Sequence, residues 1–223
     1  REKMNAFLQA VVRGLIPGNG AAAGQTVPLT TTPQGALITA GGALAKTELA
    51  RTGRSWFAVS SSGQAAITAF PSTAAGMSVQ NPVSSKLHLL IDSVSVCQGV
   101  VDVTQQDMLA LFVAIGRNFT QVATGGATYG SPTGVKTYAG NGVAKSAATV
   151  VVADSPWQPI GNSTPPGTSV AGNVWINTTE KFDGEYIVPP GGAFHLIGVE
   201  LAAAAAELFY CIRWHEVELT DLQ

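Results

Sequence analysis

The sequence predicts an all-β protein, an antiparallel β-sandwich preceded by an extended N-terminal arm that carries a short helix. Three observations lead there. From Ser55 onward, short segments rich in Val, Ile, Leu and aromatic residues alternate with clusters of Gly, Pro, Ser and Asn. About ten short strands at such spacing make a sandwich or a barrel. The last of these segments keeps a clean period of two: Leu208, Tyr210, Ile212 and Trp214 fall on one face, and Phe209, Cys211, Arg213 and His215 on the other. Side chains alternate across a strand, so one of these sets faces a core. The first fifty residues show neither pattern.

The elements follow in chain order. Phe7, Leu8, Val11, Val12 and Leu15 recur at helical spacing, so Glu2 to Leu15 predicts a short amphipathic helix. Pro17-Gly18-Asn19-Gly20 stops it. Residues 17–47 are rich in Gly, Ala, Thr and Pro, with few large side chains to bury against the entropy of ordering the backbone. Residues 1–50 are therefore expected to form an arm ordered mainly by contact with something else, and residues 51–223 the sandwich domain. The apolar arm residues, Phe7 to Leu15, are the expected partner-binding stripe.

Within the domain, strands are expected at Trp56–Ser60, Ala65–Phe70, Gly76–Gln80, Lys86–Cys97, Met108–Ile115, Thr149–Ala153, Asn173–Asn177, Tyr186–Val188, Ala193–Glu200 and Leu208–Leu219. Turns are expected at Asn81-Pro82, Gly140-Asn141-Gly142 and Pro189-Pro190-Gly191-Gly192, among others. Asp183-Gly184 carries a hairpin signal. The run Ala202 to Ala206 favours helix by propensity, but the aromatics and Ile that follow favour strand.

Composition narrows the function. Of 223 residues, 46% are hydrophobic, which excludes a disordered chain. Only 12% are charged, about half the usual quarter. So few charges suit a subunit that packs against neighbours on several faces, because a charge buried in an interface must be desolvated. No run of Lys or Arg is present, and the formal net charge is −2, so no nucleic-acid partner is expected. Apolar runs are too short to span a membrane as a helix.

The candidate chemistry is thin. Cys97 and Cys211 sit in apolar stretches and are expected to be small buried hydrophobes, with a single bridge left open. No phosphate loop, Gly-x-Ser-x-Gly elbow, His pair at metal spacing or Cys-x-x-Cys occurs. His88, His195 and His215 all fall in expected strands, where a closed barrel could gather them round a metal. No such ligand set is complete, so no metal or other cofactor is expected. Glu216 and Glu218 beside His215 read as solubilising charges at a strand end. Asp154, Glu180, Asp183 and Glu185 are the acids that could serve glycoside cleavage, although three of them cluster at one expected turn. Trp157 and Trp175 are aromatics that could stack on a ligand, join an interface or cap the sandwich.

Two motifs carry a resemblance. Met77-Ser-Val-Gln-Asn-Pro82 leads into the long apolar strand Lys86-Leu-His-Leu-Leu-Ile-Asp-Ser-Val-Ser-Val96. Tyr186-Ile-Val-Pro-Pro-Gly-Gly192 precedes a strand, and Arg213-Trp-His-Glu-Val-Glu-Leu219 closes the pattern. Over residues 55–219 this resembles the jelly-roll virion proteins of tailed bacteriophages, particularly head decoration (cement) proteins. The resemblance rests on turns and strand order and transfers no catalytic residue. It implies a jelly-roll-like sandwich and a structural subunit of the virion, assembled in the host cytoplasm. That subunit would form a homotrimer, bind the major capsid protein or other virion subunits, and catalyse no reaction. The alternative expectation is a tail- or fibre-associated module that binds host carbohydrate.

Overall fold

The computed structural model describes residues 42–68, 73–100, 109–117, 126–134, 137–149, 156–163, 177–200 and 207–218. The apolar stripe Phe7, Leu8, Val11, Val12 and Leu15 lies outside them, as does Trp175. The chain divides into two units, Arg1–Glu48 and Leu49–Gln223.

Among the described residues one helix, α1, spans Gly42–Arg51. It corrects the expectation of extended chain up to residue 47. Ala43, Leu44, Ala45, Lys46, Glu48, Leu49, Ala50 and Arg51 are nearly all strong helix formers, and the Gly-rich residues before them obscured the run. The helix ends where Gly53 adopts a φ of 72°. The Gly53 and Arg54 amides then donate to the Ala50 and Leu49 carbonyls at 3.0 and 2.8 Å, which closes the last turn.

Eleven strands follow among the described residues: β1 (Ser55–Ser60), β2 (Gln64–Ala65), β3 (Ala74–Gln80), β4 (Leu87–Val100), β5 (Leu109–Arg117), β6 (Ala127–Gly130), β7 (Val143–Thr149), β8 (Gln158–Ser163), β9 (Asn177–Val188), β10 (Gly192–Val199) and β11 (Glu207–Glu218). They form two antiparallel sheets packed as a sandwich. One runs β6-β1-β11-β4-β9, with β2 also on β11, and the other runs β7-β3-β10-β5-β8. Leaving out β2, β6 and β7, the central strands read β1-β11-β4-β9 over β3-β10-β5-β8. Chain neighbours thus lie mostly in opposite sheets.

The core lies between these sheets. From the first sheet come Trp56, Ala58, Leu89, Ile91, Val94, Val96, Leu208, Tyr210, Ile212 and Trp214; from the second come Met77, Val79, Leu109, Leu111, Val113, Phe194 and Leu196. Period two produces this sorting in β11, whose even-numbered residues from 208 to 216 are buried while the intervening ones are half-buried or exposed.

Several expected elements shift. Of the strand expected at Ala65–Phe70, residues 69 and 70 lie outside the described residues; among the described ones only Ala65 belongs to a strand, the two-residue Gln64–Ala65, and Ile67 makes an isolated bridge to Val199. Strand β7 covers Val143–Thr149, earlier in the chain than the strand expected at Thr149–Ala153, of which residues 150–153 lie outside the described residues. Asp183-Gly184 does not turn a hairpin. Both residues have positive φ, 49° and 86°, and β9 continues through them against β4, where the register slips between Ile91 and Ser93. The same left-handed geometry that suits a hairpin also forms a bulge. Neither β6 nor β8 was legible as a strand. The first is four residues among glycines, and β8 contains Pro159, which an edge strand tolerates because one side needs no ladder bonds.

Candidate functional site

Among the described residues, four polar clusters hold side chains able to do chemistry. The first is at one end of the first sheet. Glu216 shares the inward face of β11 with Trp214 and is only 3% exposed. Its carboxylate accepts bonds from the Asn141 and Gly142 amides (2.7 and 3.1 Å), the Asn141 side-chain amide (3.3 Å) and the Trp214 indole (3.3 Å). Around it stand Tyr138, stacked on Tyr129 with ring centroids 4.1 Å apart, and Trp56, edge-on to Tyr138 at 4.8 Å. Burial, and then the Glu216 charge, push the Tyr138 phenol far above its ordinary pKa. Glu216 is therefore not a solubilising strand-end charge. It fastens the Gly140–Gly142 loop to the aromatic end of the core. Glu218, by contrast, is exposed and pairs with Arg54 at 2.9 Å.

The second cluster is on the outer face of the same sheet. Ser55 lies directly opposite His215, and its hydroxyl is 2.7 Å from Nδ1. Nε2 is 3.8 Å from an Asp92 carboxylate oxygen. These are the residue types of a nucleophilic triad, but the geometry differs. A catalytic base needs its orienting carboxylate at hydrogen-bond distance and its hydroxyl open to substrate. Here the carboxylate is beyond that distance, and Ser55 is 2% exposed.

The third cluster lies on the outer side of the second sheet. His195 alternates with the inward Phe194 and Leu196, opposite Ser78 of β3 and Ala114 of β5. Its Nδ1 is 2.8 Å from the Ser78 hydroxyl. Trp157, just before β8, lies edge-on to the ring, 6.4 Å between centroids. Both Ser78 and His195 are wholly buried. Burial lowers the imidazole pKa to about 4, so the ring is neutral over the physiological range.

The fourth cluster is a junction between the sheets. Asn81, also wholly buried, donates from its side-chain amide to the Leu87 and Val188 carbonyls at 2.8 and 2.9 Å. Its backbone amide donates to the Gly192 carbonyl at 2.9 Å, and its carbonyl accepts from Gly191 at 2.8 Å. The Asn81-Pro82 and Val188-Pro-Pro-Gly-Gly192 motifs, more than a hundred residues apart, are thus one bonded corner.

The three histidines are not brought together. His195 is on the second sheet, while His88 and His215 are on the first, facing Val217 and Leu90 across the ladder. Among the described residues no group of three or more His, Cys, Asp or Glu could hold a metal. Of the acids weighed for glycoside cleavage, Asp154 is outside the described residues, and Asp183 and Glu185 are exposed on β9. Glu180 faces Gly161 of β8, where an added Cβ would meet its carboxylate at 2.6 Å. The two cysteines are half-buried and in no disulfide, which corrects the expectation of buried hydrophobes. The parity of β11 could have placed Glu216 inward. Ser55, Ser78, Asn81 and Asp92 carry no local signal, because their partners come from distant strands.

No protein-family model, curated protein or solved structure matches the chain.

Proposed function

We propose that the chain is a structural virion subunit, of the kind that decorates the head of a tailed bacteriophage and stabilises it by bridging neighbouring subunits. The observation that carries this reading is the strand order β1-β11-β4-β9 over β3-β10-β5-β8. We read this order as the interleaved winding of a jelly roll, an architecture used by capsid proteins, lectins and cupins. Two further features favour the capsid use. The space between the sheets is filled by Trp214, Tyr210, Phe194, Met77 and their neighbours, where a cupin would hold a ligand. The buried polar groups Glu216, Asn81 and His195 are engaged with loops, turns and strands of the same chain. In this reading the subunit is a homotrimer, its partners are the major capsid protein or other virion subunits, and it catalyses no reaction.

Immunogold electron microscopy of purified virions, with antibody against the sandwich, tests the proposal. Label over the head is expected. Label confined to tail or fibres would replace this reading with host-carbohydrate recognition, and virions without label would overturn both.

A further inference from the structure

The chain has two cysteines, and the fold places both on one face of one sheet. On β11 and β4, Cys211 lies opposite Ser95, and Cys97 opposite Phe209. Cross-strand partners share a face. Both thiols therefore project outward beside Phe209, one of the few exposed large apolar side chains among the described residues, at 37%. An offset of two residues makes them diagonal neighbours, about 7–8 Å apart at Cα and somewhat closer at Cβ.

That spacing discriminates between two kinds of thiol chemistry. A disulfide needs Cα atoms about 4.4–6.8 Å apart, so this pair cannot join directly without backbone movement. An ion held between two sulfurs adds two metal–sulfur bonds, each about 2.3 Å for zinc, and that extra length spans the gap. Thiolate ligands select soft cations, with Cu(I) among the foremost.

We infer that Cys97 and Cys211 form a two-thiolate site for one soft monovalent cation of the Cu(I) class. Binding exchanges two S–H bonds for two metal–sulfur bonds, and both protons pass to solvent. Arg213, two residues along β11 from Cys211, stands on the same face of the sheet. A bound ion would tie β11 to β4 across the middle of their ladder.

Silver ion, a soft monovalent probe that needs no reductant, tests this on the full chain in chloride-free buffer. Native mass spectrometry should count one silver per chain, and one equivalent should protect both thiols from alkylation by N-ethylmaleimide. Cys97→Ser and Cys211→Ser should each weaken binding at least tenfold. Two silver ions per chain, protection of a single thiol, no binding, or undiminished affinity in either variant would overturn the inference. The count and the alkylation use the unaltered chain, so the test stands even if a variant does not fold.

Discussion

His195 and Glu216 are both buried, yet burial acts on them differently because their partners differ. His195 has a hydroxyl and an aromatic edge beside it, and desolvation by burial lowers its pKa from 6.5 to about 4. The unfolded chain therefore binds a proton between these two values that the folded chain refuses. Stability is complete above about pH 6.5 and declines as the pH falls toward 4, at up to about 1.4 kcal/mol per unit for one proton. Chemical denaturation of the wild type and His195→Gln should give difference curves that are flat above pH 6.5 and sloped below it. A flat difference down to pH 4 would refute the assignment. Glu216 instead accepts from two loop amides and an indole. Truncating it to Ala strands those buried donors, at about 1–3 kcal/mol for each that finds no water. Glu216→Ala should lose several kcal/mol in a urea titration, and Glu216→Gln, which keeps one acceptor oxygen, clearly less. Equal losses would mean that the carboxylate's bonds carry little weight.

At the scale of elements, the sandwich is joined at its margins by single side chains. The Tyr129 hydroxyl of β6 accepts from the Ala144 amide at 2.7 Å and donates to its carbonyl at 3.1 Å, linking the edges of the two sheets. Asn81 does the same at the corner where β3 leaves one sheet and β4 enters the other. An amide can donate twice to the Leu87 and Val188 carbonyls, whereas an ionised carboxylate can only accept and would face two oxygens. Asn81→Asp, nearly isosteric, should therefore destabilise more than Asn81→Ala, which is expected to cost about 1–3 kcal/mol. Thermal melts of the three proteins at pH 7 give the order, and an Asp variant as stable as wild type would show that the corner does not depend on donation. The bulge at Asp183-Gly184 belongs to this scale too. It lies on the edge strand β9, whose outward row of Asn177, Thr179, Lys181, Asp183 and Glu185 is exposed and polar. Charges and a bulge are devices that keep an edge from pairing with another sheet.

For the whole molecule, the division at Glu48/Leu49 sets the test of the arm. Residues 1–41 are far more than a connection within a domain usually takes. Removing residues 1–41 should leave a cooperative, reversible melt, because among the described residues the core comes from Trp56 onward. The cut spares α1, whose last turn leads directly into β1. On the proposed function the truncated protein should no longer bind heads stripped of the subunit, measured by co-sedimentation. A truncated chain that aggregates or melts without cooperativity would assign the arm to the sandwich itself, and unaltered binding would remove the arm from the bridging mechanism.

The sequence by itself determined the class of fold, the faces of β11 and the positions of β1, β3, β4, β5 and β10. Alternation and turn residues are local properties, and burying one face of each strand requires nothing more. It could not determine which strand lies beside which, since period two sorts faces and not neighbours. Only the tertiary structure set Ser55 against His215, Ser78 against His195, and the two cysteines on one diagonal. It also turned Asp183-Gly184 from a hairpin into a bulge and Glu216 from a surface charge into a buried anchor. In each case the deciding energy is a contact with residues far away in the chain: a ladder that continues past the bulge, and loop amides that need an acceptor. Local propensity carries no information about either.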